Sequence, residues 1–265
     1  MTSAYDLAST TAVILAGGLG TRLRPVVTDR PKVLAPVGGR PFLAYLLDQV
    51  ATSGIRRAVL CTGHLGEQIE SAFGRTWEGV ELTYSRETEP LGTGGALRLA
   101  LDQIDSSSLL LMNGDSYCDA DLLDLWDWHH VHPAHVTVVT TEVEDVTSFG
   151  RVDIDANDRI QCFAEKGPGG PGRINAGLYL MHTALIHRIP ADRTISIENE
   201  LFPRWVDDGG VFAYPTGGRF HDIGTPERLA RAETFVRALR PENERTNAID
   251  EIASAFHSVE QGEPA

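Results

Sequence analysis

The first 115 residues of this chain alternate between short strand-like runs and stretches with helical spacing. The strand-like runs cover residues 11–16, 57–61, 81–84 and 109–112. Between them, apolar residues recur every three or four positions over residues 42–50, 65–73 and 96–104. Because a helix between two strands lets the second strand return parallel to the first, this order predicts an α/β fold. We expect a mostly parallel sheet that is covered by helices on both faces.

The pattern changes after about residue 136. Short alternating stretches at 150–154 and 160–164 flank an Asp-Ala-Asn-Asp segment and predict a β-hairpin. Pro226–Leu239 predicts a helix with Thr225 as its N-cap. We therefore predict one domain over 1–240, with an α/β half at 11–135 and a mixed half at 136–240. The polar tail at 241–265 is expected to be helical or disordered.

Charge and composition restrict the partners of the chain. The formal net charge of −14 argues against a nucleic acid, because most of the surface would repel its phosphates. No apolar run approaches the roughly 20 residues of a membrane-spanning helix. Three cysteines that lie far apart indicate reduced thiols and a cytoplasmic protein. The composition leaves open whether the chain forms a homo-oligomer.

Small phosphorylated ligands are compatible with this charge, because cations cluster locally. Only one acid, Asp29, lies between positions 20 and 40, in a segment that holds five basic residues: Arg22, Arg24, Arg30, Lys32 and Arg40. The whole chain has only two lysines, Lys32 and Lys166, among 23 basic residues. Their retention in an arginine-rich chain indicates positions that need a compact, mobile ammonium group rather than a planar guanidinium.

A glycine-rich loop follows the first predicted strand and has the sequence Gly17-Gly18-Leu19-Gly20-Thr21-Arg22. Glycines at such a turn allow backbone N–H groups to approach phosphate oxygens. The loop is not a Walker A motif, because no lysine follows until Lys32, and Leu23 replaces the third small residue of a dinucleotide fingerprint. Taken alone, the loop could also be a tight turn without a ligand.

The run from Leu15 to Leu23, followed by Pro31-Lys32, resembles the signature of sugar-1-phosphate nucleotidylyltransferases, also called nucleotide-sugar pyrophosphorylases. The resemblance continues in order through further motifs and covers about residues 11–239. These motifs lie at 89–95, 113–115, 165–166, 175–177 and 220–226. Within the family, the chain looks most similar to short guanylyltransferases that act on D-glycero-D-manno-heptose 1-phosphate or mannose 1-phosphate. It departs from many relatives at Val33, where they have a second proline.

The resemblance implies a Rossmann-like mixed, mostly parallel sheet of the nucleotide-diphospho-sugar transferase type, with a smaller sugar-binding part. It assigns nucleotide binding to the half at 11–135 and binding of the sugar phosphate to the half at 136–240. It also implies transfer of a nucleotidyl group from a nucleoside triphosphate, foremost GTP, to a sugar 1-phosphate, with release of pyrophosphate. Both substrates are small molecules, and Mg²⁺ is the implied cofactor. Another base or another hexose 1-phosphate remains open as an alternative.

The resemblance also implies roles for individual residues. Arg22 and Lys32 would be catalytic, and Asp115 and Asp222 would hold Mg²⁺. The sugar phosphate would be bound by Gly150, Glu165, Lys166 and Asn175. The nucleotide would be bound by Leu15, Gly17, Gly18, Gly20, Thr21, Glu89, Pro90, Gly92, Thr93 and Gly114.

Other acidic and histidine-rich segments support different readings. Asp-x-Asp occurs at 119–121 and 153–155 and is the metal motif of many glycosyltransferases, so a metal-dependent glycosyltransferase is one rival. A non-catalytic sensor of nucleotide-sugar is another. We interpret both Asp-x-Asp segments as turns or surface. Four histidines at 129, 130, 132 and 135 could suggest a metal site, but we expect a solvated helix end.

Overall fold

Strands and helices alternate along the chain in the computed structural model, which describes residues 6–18, 20–23, 25–164, 169–191 and 193–239. The strands are β1 (Thr11–Leu15), β2 (Pro36–Val37), β3 (Arg40–Pro41), β4 (Arg57–Thr62), β5 (Thr76–Trp77), β6 (Val80–Arg86), β7 (Ser108–Asn113), β8 (Ser116–Cys118), β9 (Val136–Val143), β10 (Arg151–Ile154), β11 (Ile160–Ala164), β12 (Gly172–His182), β13 (Val211–Pro215) and β14 (Phe220–Asp222). The helices are α1 (Phe42–Thr52), α2 (Gly66–Phe73), α3 (Gly92–Leu99), α4 (Leu122–Val131), α5 (Phe202–Asp207) and α6 (Pro226–Leu239). Within these residues, no helix combines the length and the apolar character needed to cross a bilayer.

One sheet of ten strands extends through both halves of the described chain. Its main path is β11-β10-β12-β7-β1-β4-β6-β5, and β9 and β13 extend from β12. The pairs β7–β1, β1–β4 and β4–β6 are parallel, whereas β12 is antiparallel to both β7 and β9. The predicted mostly parallel sheet, followed by a mixed half with a β10–β11 hairpin, is confirmed.

Both faces of the sheet are covered, and β1 shows why its residues form a buried strand. Ala12 and Ile14 point to one core, which also contains side chains of α1, α4 and α6. Val13, between them, points to the other core together with side chains of α3 and α5. All three are fully buried, as the apolar run in the sequence indicates.

The parallel strands end together, and this alignment creates the site. Leu15, the last residue of β1, lies in register with Cys61 of β4 and with Asn113 of β7. Cys61 in turn lies in register with Ser85, one residue before β6 ends. The loops that follow β1, β4, β6 and β7 therefore meet at one edge of the sheet, where ligands bind in open α/β folds.

Two helix boundaries refine the sequence-based expectations. The helix predicted over 96–104 begins earlier, at Gly92, and its last turn is a 3-10 helix over Ala100–Gln103. The helix α6 begins at Pro226 as predicted, and the N–H of Arg228 donates to Thr225 Oγ1 at 3.3 Å. The predicted tail at 241–265 lies outside the described residues.

The prediction of a solvated helix end was wrong for one of the four histidines. His130 and His135 are exposed, but His129 is 1% exposed, and its Nδ1 lies 2.7 Å from Thr137 Oγ1. The ring of His182 lies 5.2 Å from that of His129. Burial, assisted by the neighbouring histidines, lowers the pKa of His129 to about 3. The residue is a neutral part of the core.

This burial predicts loss of stability in acid. The pKa of His129 is lowered in the folded state, so the imidazole takes up a proton more readily in the unfolded chain. The free energy of unfolding therefore falls as pH drops below about 6.5. Between neutral pH and about pH 4.5, we expect wild type to lose roughly 2 kcal/mol more than His129→Gln. Urea unfolding at both pH values measures this difference. The matched control is His187→Asn at an exposed position, which should behave like wild type. Equal pH dependence of wild type and His129→Gln would contradict the prediction.

Candidate active site

A cavity of about 310 Å³ lies at the edge of the sheet where the parallel strands end. Eight of the predicted site residues form part of its wall: Leu15, Gly17, Gly18, Lys32, Pro90, Gly92, Thr93 and Asp115. Seven further residues complete the wall: Ala16, Val33, Cys61, Glu87, Ala96, Asn113 and Glu198. The cavity thus unites residues that lie far apart in sequence but follow neighbouring strands.

An ion pair between Lys32 and Asp115 lies on the cavity wall. Lys32 begins a short 3-10 turn after Pro31, and Asp115 follows the end of β7. Their side chains are 16% and 30% exposed, so the pair is shielded but can still be reached by a ligand. The pair brings together an ammonium group, which can bind a phosphate, and a carboxylate, which can bind a metal ion.

The glycine loop gives the backbone close access to the cavity. Gly18 has open space where a Cβ would be, and Gly20 has a φ of +57°. A side chain at Gly20 would also crowd Lys32, since its Cβ would lie 3.3 Å from Lys32 Cβ. Leu23 is 1% exposed and anchors the end of the loop, whereas Thr21 and Arg22 are exposed. The described part of the loop therefore offers its backbone and the Arg22 side chain to a ligand.

Glu87 is a cavity residue that the sequence analysis did not select. It directly follows β6, and its Oε2 accepts a hydrogen bond from the N–H of Leu91 at 3.0 Å. Its Oε1 fills the space beside the glycine loop, 3.1 Å from where a Cβ of Gly17 would be. Partial burial raises the pKa of the Glu87 carboxyl above its ordinary value. The signal that could have revealed it is its position at the end of a parallel strand.

Glu198 is the second cavity residue that the sequence analysis missed. It belongs to a five-residue π-helix, Ile197–Leu201, which docks against the start of α3. The Thr93 hydroxyl donates to Glu198 Oε2 at 2.8 Å, and the N–H of Ile197 donates to Thr93 Oγ1 at 2.8 Å. Only the fold brings Thr93 and Glu198 together, and no local pattern in the sequence indicated it.

Some predicted nucleotide-binding residues have a visible structural role. A Cβ at Gly92 would lie 2.6 Å from Ile195 O, and its φ is +73°, so glycine is needed there for docking of the segment before the π-helix. Similarly, a Cβ at Gly114 would lie 2.6 Å from Leu15 O, so Gly114 allows the ends of β1 and β7 to pack closely. Glu89 is exposed and is not part of the cavity wall.

Asp222 lies next to the predicted metal residue Asp115 in the fold. The N–H of Ile223 donates to Asp115 O at 2.9 Å, and Asp222 pairs with Ser116 across β14 and β8. Arg228 forms an ion pair with Asp222 at 2.9 Å. A Cβ on the adjacent Gly224 would lie 2.8 Å from Asp222 Oδ1 and 3.6 Å from Arg22 Nη2, so Arg22 reaches this loop.

None of the residues predicted to bind the sugar phosphate lies on the described wall of this cavity. Gly150 is exposed at the start of β10. Asn175 lies in β12, where its Nδ2 donates to the Tyr179 hydroxyl at 2.8 Å and its Oδ1 accepts from the N–H of Gly177 at 2.9 Å. Neither residue is on the wall of the cavity. Glu165 and Lys166 lie outside the described residues.

The Asp-x-Asp segments have structural roles away from the cavity. Asp121 caps α4 by accepting from the N–H groups of Leu123 and Asp124, and Asp119 forms an ion pair with Arg219. Asp155 accepts two backbone hydrogen bonds within its own turn. Both segments are turns or surface, as predicted. In the part of the chain that the structure describes, no group of three or more acidic, histidine or cysteine side chains forms a metal site.

A second groove, of about 760 Å³, lies between the β10–β11 turn and the end of α5. Its wall contains one arginine, Arg159, together with the three acids Asp155, Asp158 and Asp207. None of the predicted site residues lines it. Because its acids outnumber its cations, this groove is poorly suited to phosphorylated ligands.

Two solved structures are similar to this chain over most of its length. HddC from Yersinia pseudotuberculosis, solved in complex with GMP-PN, is 33% identical, and the match covers 86% of this chain and 99% of that one with a TM-score of 0.77. A putative glucose-1-phosphate thymidylyltransferase from Bacillus anthracis, solved with sucrose, is 25% identical with a TM-score of 0.78, and the match covers 88% and 98% of the two chains. The chain therefore has the nucleotide-diphospho-sugar transferase fold that the resemblance implied.

Similar sequences include two guanylyltransferases. Mannose-1-phosphate guanylyltransferase of Mycobacterium tuberculosis is 37% identical over 235 residues, which cover 87% of this chain and 66% of that protein. D-glycero-alpha-D-manno-heptose 1-phosphate guanylyltransferase of Aneurinibacillus thermoaerophilus is 33% identical over 222 residues, covering 84% and 96% of the two chains. The chain thus spans about two thirds of the first relative and nearly all of the second. Residues 11–238 match the family described as Nucleotidyl transferase, and the chain belongs to that family.

Proposed function

We propose that this protein transfers a guanylyl group from GTP to a mannose-type hexose or heptose 1-phosphate, giving a GDP-sugar and pyrophosphate. The observation that carries the proposal is the cavity itself. It places the Lys32–Asp115 ion pair beside a glycine loop at the carboxyl edge of the parallel strands. The names of the two similar guanylyltransferases support this choice of base and sugar.

The chemistry follows from the charges of the substrates. A phosphate oxygen of the sugar 1-phosphate attacks the α-phosphorus of the nucleotide, and pyrophosphate leaves in line. Both reactants are polyanions, so the protein contributes mainly by aligning them and by neutralising charge. In this proposal Lys32 contacts the α-phosphate and the incoming phosphate, and Arg22 stabilises the departing pyrophosphate. Lys166, with Glu165, is assigned to the sugar phosphate by resemblance.

Asp115 and Asp222 are suited to hold Mg²⁺. The N–H of Ile223, next to Asp222, donates to Asp115 O, and Asp222 lies in register with Ser116, next to Asp115. The two aspartates are therefore close, and both offer hard carboxylate oxygens. Two carboxylates leave the remaining coordination positions to phosphate oxygens and water, which is the usual way in which proteins bind Mg²⁺. When bound, Mg²⁺ would supply charge neutralisation on the transferring phosphates. Lys32 and Arg228 neutralise these carboxylates in the structure, and they hold the two side chains in place.

Glu87 is suited to select guanine. Guanine carries two adjacent donors, N1–H and the N2 amino group, on the edge that a carboxylate can approach. Adenine, cytosine and uracil do not present this pair of donors. Glu87 lies on the cavity wall next to the glycine loop, and the N–H of Leu91 fixes its orientation. A carboxylate that receives both donors would favour GTP through charge-assisted hydrogen bonds.

Glu87→Gln is expected to lower kcat/KM for GTP by about 10- to 100-fold, because an amide cannot accept both donors. Inosine triphosphate lacks the N2 amino group, so the same substitution should cost it clearly less. Pyrophosphate release measured with both nucleotides tests this coupling. Glu81→Gln, at an exposed glutamate on the strand that precedes Glu87, is the matched control. Equal losses for GTP and inosine triphosphate would remove Glu87 from base recognition.

Pyrophosphate release in the presence of Mg²⁺ tests the proposed reaction directly. GTP, ATP, UTP, CTP and dTTP are each combined with a panel of hexose and heptose 1-phosphates. Release that requires GTP and one mannose-type sugar phosphate is the expected result. Release with another base or sugar would keep the reaction and correct the substrate. A folded protein that releases none with any pair would contradict the proposal and favour the sensor or glycosyltransferase readings.

A further inference from the structure

We propose that Glu198 recognises the sugar of the sugar 1-phosphate, by accepting a hydrogen bond from one of its hydroxyl groups. This inference rests on the proposed function and assigns a specificity-determining residue within it. Of the described residues on the cavity wall, Glu198 is the only one that the chain after residue 136 contributes. The half at 136–240 thus contributes a carboxylate to the cavity wall. Its ligand should therefore be a group that a carboxylate can bind.

The structure fixes one oxygen of this carboxylate and leaves the other one available. Oε2 accepts from the hydroxyls of Thr93 at 2.8 Å and Ser196 at 3.0 Å. Thr93 is itself held by the N–H of Ile197. Among the described residues, Oε1 accepts no hydrogen bond, and Glu198 is only half-buried. The side chain is therefore oriented in advance and keeps a free acceptor atom.

The charge of Glu198 limits what that acceptor can bind. A free carboxylate oxygen repels phosphate groups, so among the groups of the two proposed substrates its partner is an uncharged donor. Hydroxyl groups are such donors, and hydrogen bonds from a hydroxyl to a carboxylate are short and strong. A sugar and a ribose both carry hydroxyls, so the position of Glu198 has to decide between them.

Glu198 reaches the cavity from the segment that packs against β12. The ring of Phe202, which directly follows the π-helix, lies 5.3 Å from the ring of Tyr179 in β12, so the segment that carries Glu198 packs against this strand. Glu87 follows β6, whereas β12 is the neighbour of β7 on the opposite side of β1. The Lys32–Asp115 pair follows β1 and β7, between these two sides. With the base at Glu87 and the reacting phosphates at Lys32, the sugar is the part that reaches Glu198.

The backbone around Glu198 is unusual in a way that fits such a role. Ile197–Leu201 is a π-helix, in which the N–H of Phe202 donates to Ile197 O. Single turns of this kind are rare and frequently occur at functional sites. The side chain of Ser196 caps the segment by accepting from the N–H of Asn199 at 3.1 Å. The wider turn is thus stabilised at both ends while Glu198 faces the cavity.

A double-mutant cycle tests the assignment by removing the carboxylate and the hydroxyl separately. Wild type, Glu198→Ala and Glu198→Gln are assayed for pyrophosphate release with the best sugar 1-phosphate and with its singly deoxygenated analogues. Glu198→Ala should lower kcat/KM for the parent sugar phosphate by about 10- to 100-fold, chiefly through KM. With the wild-type enzyme, kcat/KM for one deoxy analogue should be lower than for the parent sugar phosphate by the same factor. With Glu198→Ala, kcat/KM for that analogue and for the parent should be nearly equal. The KM for GTP should change by less than about threefold.

Controls separate recognition from folding and from the reaction itself. Asn199→Ala changes an exposed neighbour on the same π-helix and should match wild type, and Glu198→Gln keeps acceptors for Thr93 and Ser196 if the alanine variant fails to fold. If the effect of Glu198→Ala instead disappears when a ribose hydroxyl is removed, in 2′- or 3′-deoxy-GTP, Glu198 binds the ribose and the assignment is overturned. Equal losses with every sugar analogue would also overturn it, although the reaction would stand. Wild type that is inactive with every substrate pair would overturn the reaction and this assignment together.

Discussion

Lys32→Met is expected to lower kcat for pyrophosphate release by roughly 10²- to 10³-fold while the protein remains folded. The methionine keeps most of the apolar stem, so packing in the 3-10 turn should be preserved. What is lost is the ammonium group that faces Asp115 across the cavity wall. Without it, the Asp115 carboxylate loses its partner cation, and the ammonium group that we assign to the charge developing at the α-phosphorus is missing.

Two further variants show whether charge alone explains this effect. Lys32→Arg keeps the charge but replaces a compact ammonium by a planar guanidinium, and we expect it to recover only a small part of the rate. Arg57→Met removes a cation from a surface ion pair with Asp105 and should leave kcat unchanged. Circular dichroism establishes that each variant is folded. Near-wild-type turnover by Lys32→Met would remove Lys32 from the catalytic residues.

Asp222→Asn is expected to abolish Mg²⁺-dependent turnover, with a loss of at least about 10²-fold. Asparagine has the same shape and can still accept from the N–H of Gly224, which donates to Asp222 Oδ1 at 2.8 Å. It cannot supply the negative charge that a divalent cation needs. The variant should also bind Mn²⁺ more weakly in the presence of GTP, which electron paramagnetic resonance measures without any turnover.

The control for this substitution is another aspartate that holds an arginine. Asp119→Asn weakens the exposed ion pair with Arg219 and should change neither turnover nor Mn²⁺ binding. Mn²⁺ binding at the wild-type level in Asp222→Asn would show that Asp222 is not a metal ligand. Loss of folding in Asp222→Asn would instead assign it a structural role with Arg228.

The sequence predicted the sheet well because its signals are local. Each strand of the parallel part is a short apolar run, and the alternation with helices determines how the runs return. The positions of Lys32 and Asp115 beside the glycine loop were predictable for the same reason. Both follow strands whose carboxyl ends lie in register.

The two missed carboxylates show where local signals stop. The motif at 89–95 directed the prediction of a nucleotide-binding glutamate to Glu89, which is exposed in the fold. Glu87, two residues earlier, lies outside that motif. Glu198 contacts Thr93 across 105 positions of sequence, and only the docking of the π-helix on α3 creates that contact. Such long-range pairs depend on the packing of whole elements, which periodicity and turn chemistry do not determine.

The wrong prediction for His129 has a different cause, because the spacing in the sequence did indicate that this residue is buried. Leu122, Leu125, Trp126 and His129 follow helical spacing and form the buried face of α4. The spacing placed His129 in the core, but its polar chemistry suggested the surface. In this helix the periodic position decided burial, and a hydrogen bond with Thr137 accommodated the imidazole.

The antiparallel contact between β7 and β12 has a consequence for how the chain is made. The apolar strand β7 pairs with β1 on one side, and Leu178–His182 cover its other side. During synthesis, the first half therefore emerges with β7 as an open, leucine-rich edge until residue 182 has left the ribosome. An edge of this kind can recruit strands from other chains. Nascent or truncated chains that stop before β12 should accordingly aggregate.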